Sequence, residues 1–387
     1  MTNKIAGIVA EWNPFHRGHE TMIEELKENN PDVAIFSVMS GSFVQRGEPA
    51  LFDPWTRAKW AAAAGADAVF ELPVLASLQS ADRFAEEGAR LLYFLGCGAI
   101  YFGTESLEAE ELEEAASYGL TEAWTDSLHQ FLKEGLSYAQ ASAKAMEIHS
   151  PHLAKELTKP NNLLGYRYAT AILARHWPLA IHVYHRDMEN NISATTARKE
   201  LLENGSTSLL PMEASEEAKG LMEQGNFTDF HRYEEACLLA SRLMDEKALS
   251  ATGLFTEGLE HKWFRESQRI SYKDMVDHIK SKRYLYSRLK RVGAQLLIGG
   301  TGPSPFMAHE IPSYARLLAL RREKSRLLND ISIPLITSMA KALRTLPPAI
   351  TASLLLDIRA SDIRSWCLHG EKYRQARQEF YRSPVVL

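Results

Sequence analysis

The 387-residue sequence has only three cysteines, Cys97, Cys237 and Cys367, widely separated and odd in number. They supply neither a disulfide framework nor a metal-ligand spacing, so a reducing, cytoplasmic setting is expected and no metal site is assigned. Long apolar runs are missing too. Nothing approaches the roughly 20 residues of a membrane-spanning helix, and Met-Thr-Asn-Lys-Ile lacks the charged-then-apolar order of a secretory leader. No membrane partner is expected. Nor is there an excess of positive charge, since 44 Lys and Arg stand against 49 Asp and Glu, a net charge of −5. That excludes a blanket polycation for nucleic acid, and any RNA must meet a local patch. Internal repeats and low-complexity tracts are also absent. The length exceeds what one core comfortably serves, which predicts two or three domains.

What is present is alternation. Apolar runs at Ile5–Ala10, Ala34–Met39, Ala68–Leu72, Ala99–Phe102 and Leu179–Tyr184 are separated by helical stretches such as Trp55–Ala64 and Asp82–Leu95. This order predicts an α/β fold with a Rossmann-like parallel sheet and a ligand crevice at the strands' carboxyl ends. From about Pro211 onward the spacing is mostly that of amphipathic helices. The expected division is residues 1–205 and 206–387, the second part mainly α-helical.

The first predicted strand stops at Pro14, and apolar residues at Met22, Ile23 and Leu26 give helical spacing directly after it. His16, Gly18 and His19 therefore occupy a strand-to-helix junction. Unpaired backbone N–H groups and the positive end of a helix dipole suit a phosphate there, two imidazoles can donate to its oxygens, and Gly18 lets a nucleotide approach the backbone. A metal pair or two surface histidines are the other readings. A spacing of three with an internal glycine favours the turn over a metal-binding helix face.

Further segments fit a nucleotide site less specifically. Met39–Glu48, with Ser40, Gly41 and Arg46, is a polar loop after the second strand in which Arg46 can hold a carboxylate or phosphate, or is a surface residue of an ordinary turn. Gly103 ends another strand, where adenine or ribose can come close. Asn161 or Asn162 is a helix cap before it is a ligand contact. Ser193, Thr195 and Arg198 at a helix start can hold β- and γ-phosphates, or merely cap that helix. Lys280, Lys282, Arg283, Tyr284, Arg288 and Arg291 continue toward Arg316, Arg321, Arg322, Lys324 and Arg326. Positions 280, 283, 284, 288 and 291 are expected on one helix side, as an RNA-binding face or a solvated charged face.

His16-x-Gly18-His19 together with Ile192-Ser193-x-Thr195-x-x-Arg198 resembles the two phosphate motifs of the nucleotidyltransferase superfamily. The finer pattern is Glu11-Trp12-Asn13-Pro14-Phe15-His16, Met39 to Pro49, Glu71-Leu72-Pro73, Gln79-Ser80-Ala81, Phe102-Gly103-Thr104-Glu105, Pro160 to Gly165 and Lys280 to Tyr284. It resembles the bacterial tRNA(Met) cytidine acetate ligase family from the first strand to at least Arg291. The resemblance implies that acetate attacks the ATP α-phosphate to give acetyl-adenylate and pyrophosphate. The acetyl group then passes to the wobble cytidine of elongator tRNA(Met), giving N4-acetylcytidine and AMP. It also implies His16 and His19 as catalytic residues, and an ATP site of Gly7, Ile8, Val9, Ala10, Glu11, Trp12, Asn13, Pro14, Phe15, His16, Arg17, Gly18, His19 and Glu20. Gly103, Asn161 and an arginine of the strand before the second motif, here matched to Arg186 in a shortened stretch, complete that site. Residues 1–205 then become the ATP-binding domain and 206–387 the tRNA-binding one. Arg46 is the expected acetate cation, magnesium is expected with the ATP phosphates, and oligomeric state is not specified. The sequence departs from the family in having Trp12 for tyrosine and Arg17 for asparagine. A small-molecule adenylyltransferase, or an RNA-binding protein with a regulatory nucleotide site, are the competing functions. Formation of labelled acetyl-tRNA separates the ligase from both.

Overall fold

Ala34–Ser40 is apolar except for two serines and is buried throughout. A strand without polar alternation must be covered on both faces, as in a parallel sheet between helical layers. The computed structural model, which describes residues 5–185, 192–281 and 283–387, contains that sheet. Its first five strands are β1 (Ile5–Ala10), β2 (Ala34–Ser40), β3 (Ala68–Leu72), β4 (Ala99–Thr104) and β5 (Ala180–His185). All are parallel, in the spatial order β3-β2-β1-β4-β5. The chain builds outward from β1, then crosses back to lay β4 on its other side. That reversal opens a crevice at the carboxyl ends of β1 and β4.

Helices Arg17–Asn29, Pro54–Ala63 and Ala81–Phe94 connect these strands, and Pro160–Arg175 leads into β5. Two glycines let Ala81–Phe94 lie close on β1. A Cβ on Gly7 would come 2.6 Å from Leu92, and one on Gly88 would come 2.8 Å from Val9. Gly7 is thus a packing residue under the helix.

Residues 206–387 are mainly helical, as expected, and also reach back into the sheet. Ala315–Leu320 (β6) pairs antiparallel with β3, while Leu335–Ile336 (β7) and Val385–Val386 (β8) run parallel to β6 on its outer edge. Ala315–Leu320 is apolar but for Arg316 and too short for its period to separate strand from helix, so the sequence carries no signal for this pairing. One apolar cluster extends from Phe36 and Phe70 in the sheet to Trp263 and Leu289 in the C-terminal helices. Arg316, expected in a basic surface run, is only 5% exposed and pairs with the carboxylates of Glu71 and Glu379. Beside it, Asp357 accepts from the Tyr314 hydroxyl at 2.6 Å and from the Val74 N–H at 2.8 Å. Burial pushes the Asp357 carboxyl up to about 6. No helix among the described residues is long and apolar enough to cross a membrane.

Candidate active site

From the end of β1 the chain turns through Trp12, at φ +45°, and a cis Asn13–Pro14 bond to His16, the cap of helix Arg17–Asn29. Burial holds the turn in place. Trp12 is 1% exposed, packs edge-on against Phe15 at 5.4 Å, and Phe15 has no exposure at all. The Asn13 side-chain oxygen accepts the Leu51 N–H at 2.8 Å. His16 and His19 stack with ring centres 3.6 Å apart, and the His16 backbone N–H donates to His19 Nδ1 at 3.2 Å. Accepting at Nδ1 puts the hydrogen of a neutral His19 ring on Nε2, the donor a phosphoryl oxygen requires.

This turn borders a cavity of about 290 Å³ at the crevice between β1 and β4. Of the expected ATP residues it gathers Ile8, Val9, Ala10, Glu11, Trp12, Asn13, His16, Gly18, His19, Gly103, Asn161, Ser193, Thr195 and Arg198, and Arg46 of the Met39–Glu48 loop joins them. Met22, Val44, Glu48, Phe102, Leu164, Tyr168, Tyr184 and Ala194 complete the wall. Sequence reasoning did not assign Leu164 and Tyr168 to the site. They recur on the Asn161 face of helix Pro160–Arg175 at spacings of three and four, a signal that helical periodicity offered.

Other expected residues lie outside the cavity lining. Pro14 and Phe15 are buried within the turn itself, and Gly7 packs under helix Ala81–Phe94. Arg17 is exposed, with its N–H on the Leu209 carbonyl at 3.0 Å and its Nε on that of Leu210 at 3.3 Å, so it braces the C-terminal part. Glu20 is likewise absent from the lining, and burial raises its pKa. Ser40 and Gly41 turn their carbonyls to the guanidinium of Arg57, which also donates to the Glu11 carbonyl at 2.6 Å. Arg57, itself fully buried, ties the ends of β1 and β2 together, and nothing in the sequence marked it. Desolvation lowers its pKa to about 9. A Cβ on Gly41 would fall 1.8 Å from the Glu71 carboxylate, so this glycine serves packing. Arg186 and Lys282 lie outside the described residues.

Two expected caps resolve differently. Helix Pro160–Arg175 is capped by neither Asn161 nor Asn162. The Glu105 carboxylate reaches in from the end of β4 and accepts the Asn161 N–H at 3.1 Å and the Asn162 N–H at 2.8 Å. In return the Asn162 side-chain oxygen accepts the Glu105 N–H at 2.9 Å, while Asn161 Nδ2 donates to Glu105 at 2.8 Å. Ser193 does cap its helix, accepting the Thr196 N–H at 3.1 Å, and it lines the cavity as well.

Charge inside the cavity is ordered. Glu48 bridges Arg198 at 3.4 Å and Lys290 at 3.2 Å, and Arg198 also donates to the Asn13 carbonyl. Desolvation lowers the Arg198 pKa. Glu11 accepts the Gln45 N–H at 2.6 Å, and burial raises its pKa against the pull of that bond and of Arg46.

The basic segment is not one helical face. Helix Tyr272–Ile279 ends, Ser281 and Tyr284 close a turn, and a new helix runs over Tyr286–Gly299. The Ser281 hydroxyl accepts the Tyr284 N–H at 3.1 Å, a bond that competes with helix continuation. Tyr284 is 8% exposed with its hydroxyl on the Glu257 carbonyl at 2.7 Å, so its ring is core and no stacking platform. Lys280 and Arg283 are exposed, and Arg288 and Arg291 are half-buried. Arg283 and Arg288 contact Glu257 and Thr256 on the preceding loop. Among the described residues no group of three or more His, Cys, Asp or Glu side chains could hold a metal ion.

Residues 3–379 match the HIGH Nucleotidyl Transferase family. A tRNA(Met) cytidine acetate ligase of Listeria welshimeri is 32% identical over 99% of this chain and 99% of its own length. One from Acetivibrio thermocellus is 30% identical over 99% and 100%. A crystal structure of Thermotoga maritima TmcAL bound with alpha-thio ATP superposes with a TM-score of 0.90 at 26% identity, covering 99% of both chains. Its apo form gives 0.91.

Proposed function

The chain belongs to the HIGH nucleotidyl transferases and, within them, to the tRNA(Met) cytidine acetate ligase family, and on that premise we propose how its residues divide the reaction. It is an ATP-dependent ligase that forms acetyl-adenylate and transfers the acetyl group to N4 of the wobble cytidine of elongator tRNA(Met). The observation that carries this reading is the stacked His16–His19 pair at a helix start, opening on one cavity with Arg46, Asn161 and Arg198.

ATP lies with its adenosine toward Gly103 and Asn161 and its phosphates toward His16, His19, Ser193, Thr195 and Arg198. Arg46 holds the acetate carboxylate. An acetate oxygen attacks the α-phosphorus and pyrophosphate leaves. The protein's contribution is positioning and charge stabilisation through His19 Nε2, the helix start and Arg198, without a covalent enzyme intermediate. Magnesium would arrive with ATP and offset phosphate charge, since among the described residues no cluster of His, Cys, Asp or Glu could hold it. The cytidine amine then attacks the acetyl carbonyl carbon, and AMP departs. Residues 206–387 carry the tRNA, with Lys280, Lys282, Arg283 and Arg288 on its backbone. The three cysteines are free and buried, in keeping with a cytoplasmic enzyme.

ATP–pyrophosphate exchange tests the first half-reaction. Exchange that depends on acetate and needs no tRNA supports the assignment. Exchange driven instead by a phosphorylated small-molecule acceptor would establish the adenylyltransferase alternative. In the same assay Arg283→Ala is expected to behave as wild type, while tRNA binding weakens and its salt slope falls by about 1. Loss of both activities together would make Arg283 a structural residue.

A further inference from the structure

The second half-reaction has a chemical requirement that ATP binding does not meet. The exocyclic amine of cytosine is a poor base and nucleophile because its lone pair is delocalised into the ring. As its nitrogen bonds to the acetyl carbon, an N–H proton has to leave. The cavity lining offers few groups to take it. His16 and His19 stand at the phosphates under the reading above, and Arg46 and Arg198 are cations. Tyr168 and Tyr184 offer phenol hydroxyls, weaker proton acceptors than a carboxylate, and burial raises the Tyr168 pKa further. Of the two carboxylates in the lining, Glu48 is held between Arg198 and Lys290. Glu11 remains. It follows the last residue of β1, and its Oε1 is fixed by the Gln45 N–H at 2.6 Å, which leaves Oε2 for a second partner. Arg57, donating to the Glu11 carbonyl, holds the backbone beneath it.

We propose that Glu11 is the general base of acetyl transfer: its Oε2 takes the amine proton as the N4–carbonyl bond forms. The tetrahedral adduct then expels AMP, breaking the bond between the acyl carbon and the phosphate oxygen. The products are N4-acetylcytidine, AMP and one proton, which passes from Glu11 to solvent. This role rests on the acetyl-adenylate reading of the same cavity. Burial raises the Glu11 pKa, which makes a carboxylate a better proton acceptor. The charged groups facing it are Arg46 and Glu48 on the loop after β2, Arg57 on helix Pro54–Ala63 and Arg198 on helix Ala194–Lys199, with Tyr168 from helix Pro160–Arg175 in the same wall.

Glu11→Gln keeps an oxygen for the Gln45 N–H and removes the base, so two assays isolate the role. Glu11 lines the nucleotide cavity, so its replacement is expected to lower acetate-dependent ATP–pyrophosphate exchange too, but by a far smaller factor than transfer. Single-turnover transfer from acetyl-adenylate to tRNA is expected to fall by about 10²–10⁴-fold. In the wild type that transfer rate should rise with pH through a carboxylate pKa above the ordinary value, and the limb should vanish in Glu11→Gln. Wild-type transfer by Glu11→Gln, or an equal loss in both assays, overturns the proposal. Failure of the wild type to exchange at all would instead overturn the acetyl-adenylate reading.

Discussion

His19→Ala is expected to lower the turnover of acetate-dependent ATP–pyrophosphate exchange by about 10²–10³-fold, a loss of about 3–4 kcal/mol of transition-state stabilisation. The argument is geometric. The His16 N–H occupies Nδ1 of His19, so the neutral ring presents an Nε2 hydrogen from the first turn of a helix whose dipole favours negative charge. Charge on the α-phosphoryl oxygens grows as acetate attacks. A fixed donor therefore gains more in the transition state than in bound ATP, and the ATP KM should change far less than kcat. The fold should survive, because the partly exposed His19 ring lies at the cavity rim while Trp12 and Phe15 hold the turn from within. A variant with unchanged kcat and a raised KM would make His19 a binding residue only.

Arg316→Met is expected to have the largest effect on stability, about 3–5 kcal/mol read from the midpoint of urea unfolding. Removing the guanidinium leaves Glu71 and Glu379, respectively 3% and 2% exposed, as buried carboxylates without their cation. Burial already pushes the Glu71 carboxyl up, and Arg316 is the nearest opposing charge. The effect should reach the active site, since Gly41 rests on Glu71 and offers its carbonyl to Arg57, which also holds Glu11. Adding Glu71→Gln to Arg316→Met should recover part of the loss. No recovery would place the stabilisation elsewhere.

Local signals explain why so much of the N-terminal half was legible. β1 to β4 are mostly apolar runs that end beside Gly, Pro or polar residues, and a parallel strand buried on both faces needs little more, whereas β5 is an edge strand with Ala180, His182 and His185 exposed. His16, Gly18 and His19 stood out because the junction they occupy could be located from neighbouring residues alone. What remained hidden depends on partners distant in the chain. Arg316 and Glu71 are 245 residues apart, and without that pairing an arginine near other arginines resembles a surface stripe. Arg57 lies on an ordinary helix and acquires its role only when β1 and β2 end beside it. The 280–291 segment misled for a local reason. Ser281 offers its hydroxyl to the backbone, breaks the helix, and turns Tyr284 inward.

The central claim is that this cavity activates acetate for transfer to RNA. Nucleoside mass analysis of elongator tRNA(Met), after incubation of the protein with ATP and isotopically labelled acetate, tests it most directly. The account predicts labelled N4-acetylcytidine at the wobble position, with one AMP formed for each acetyl group transferred. ATP consumed with no label in the tRNA, or label in the tRNA without AMP, would contradict it.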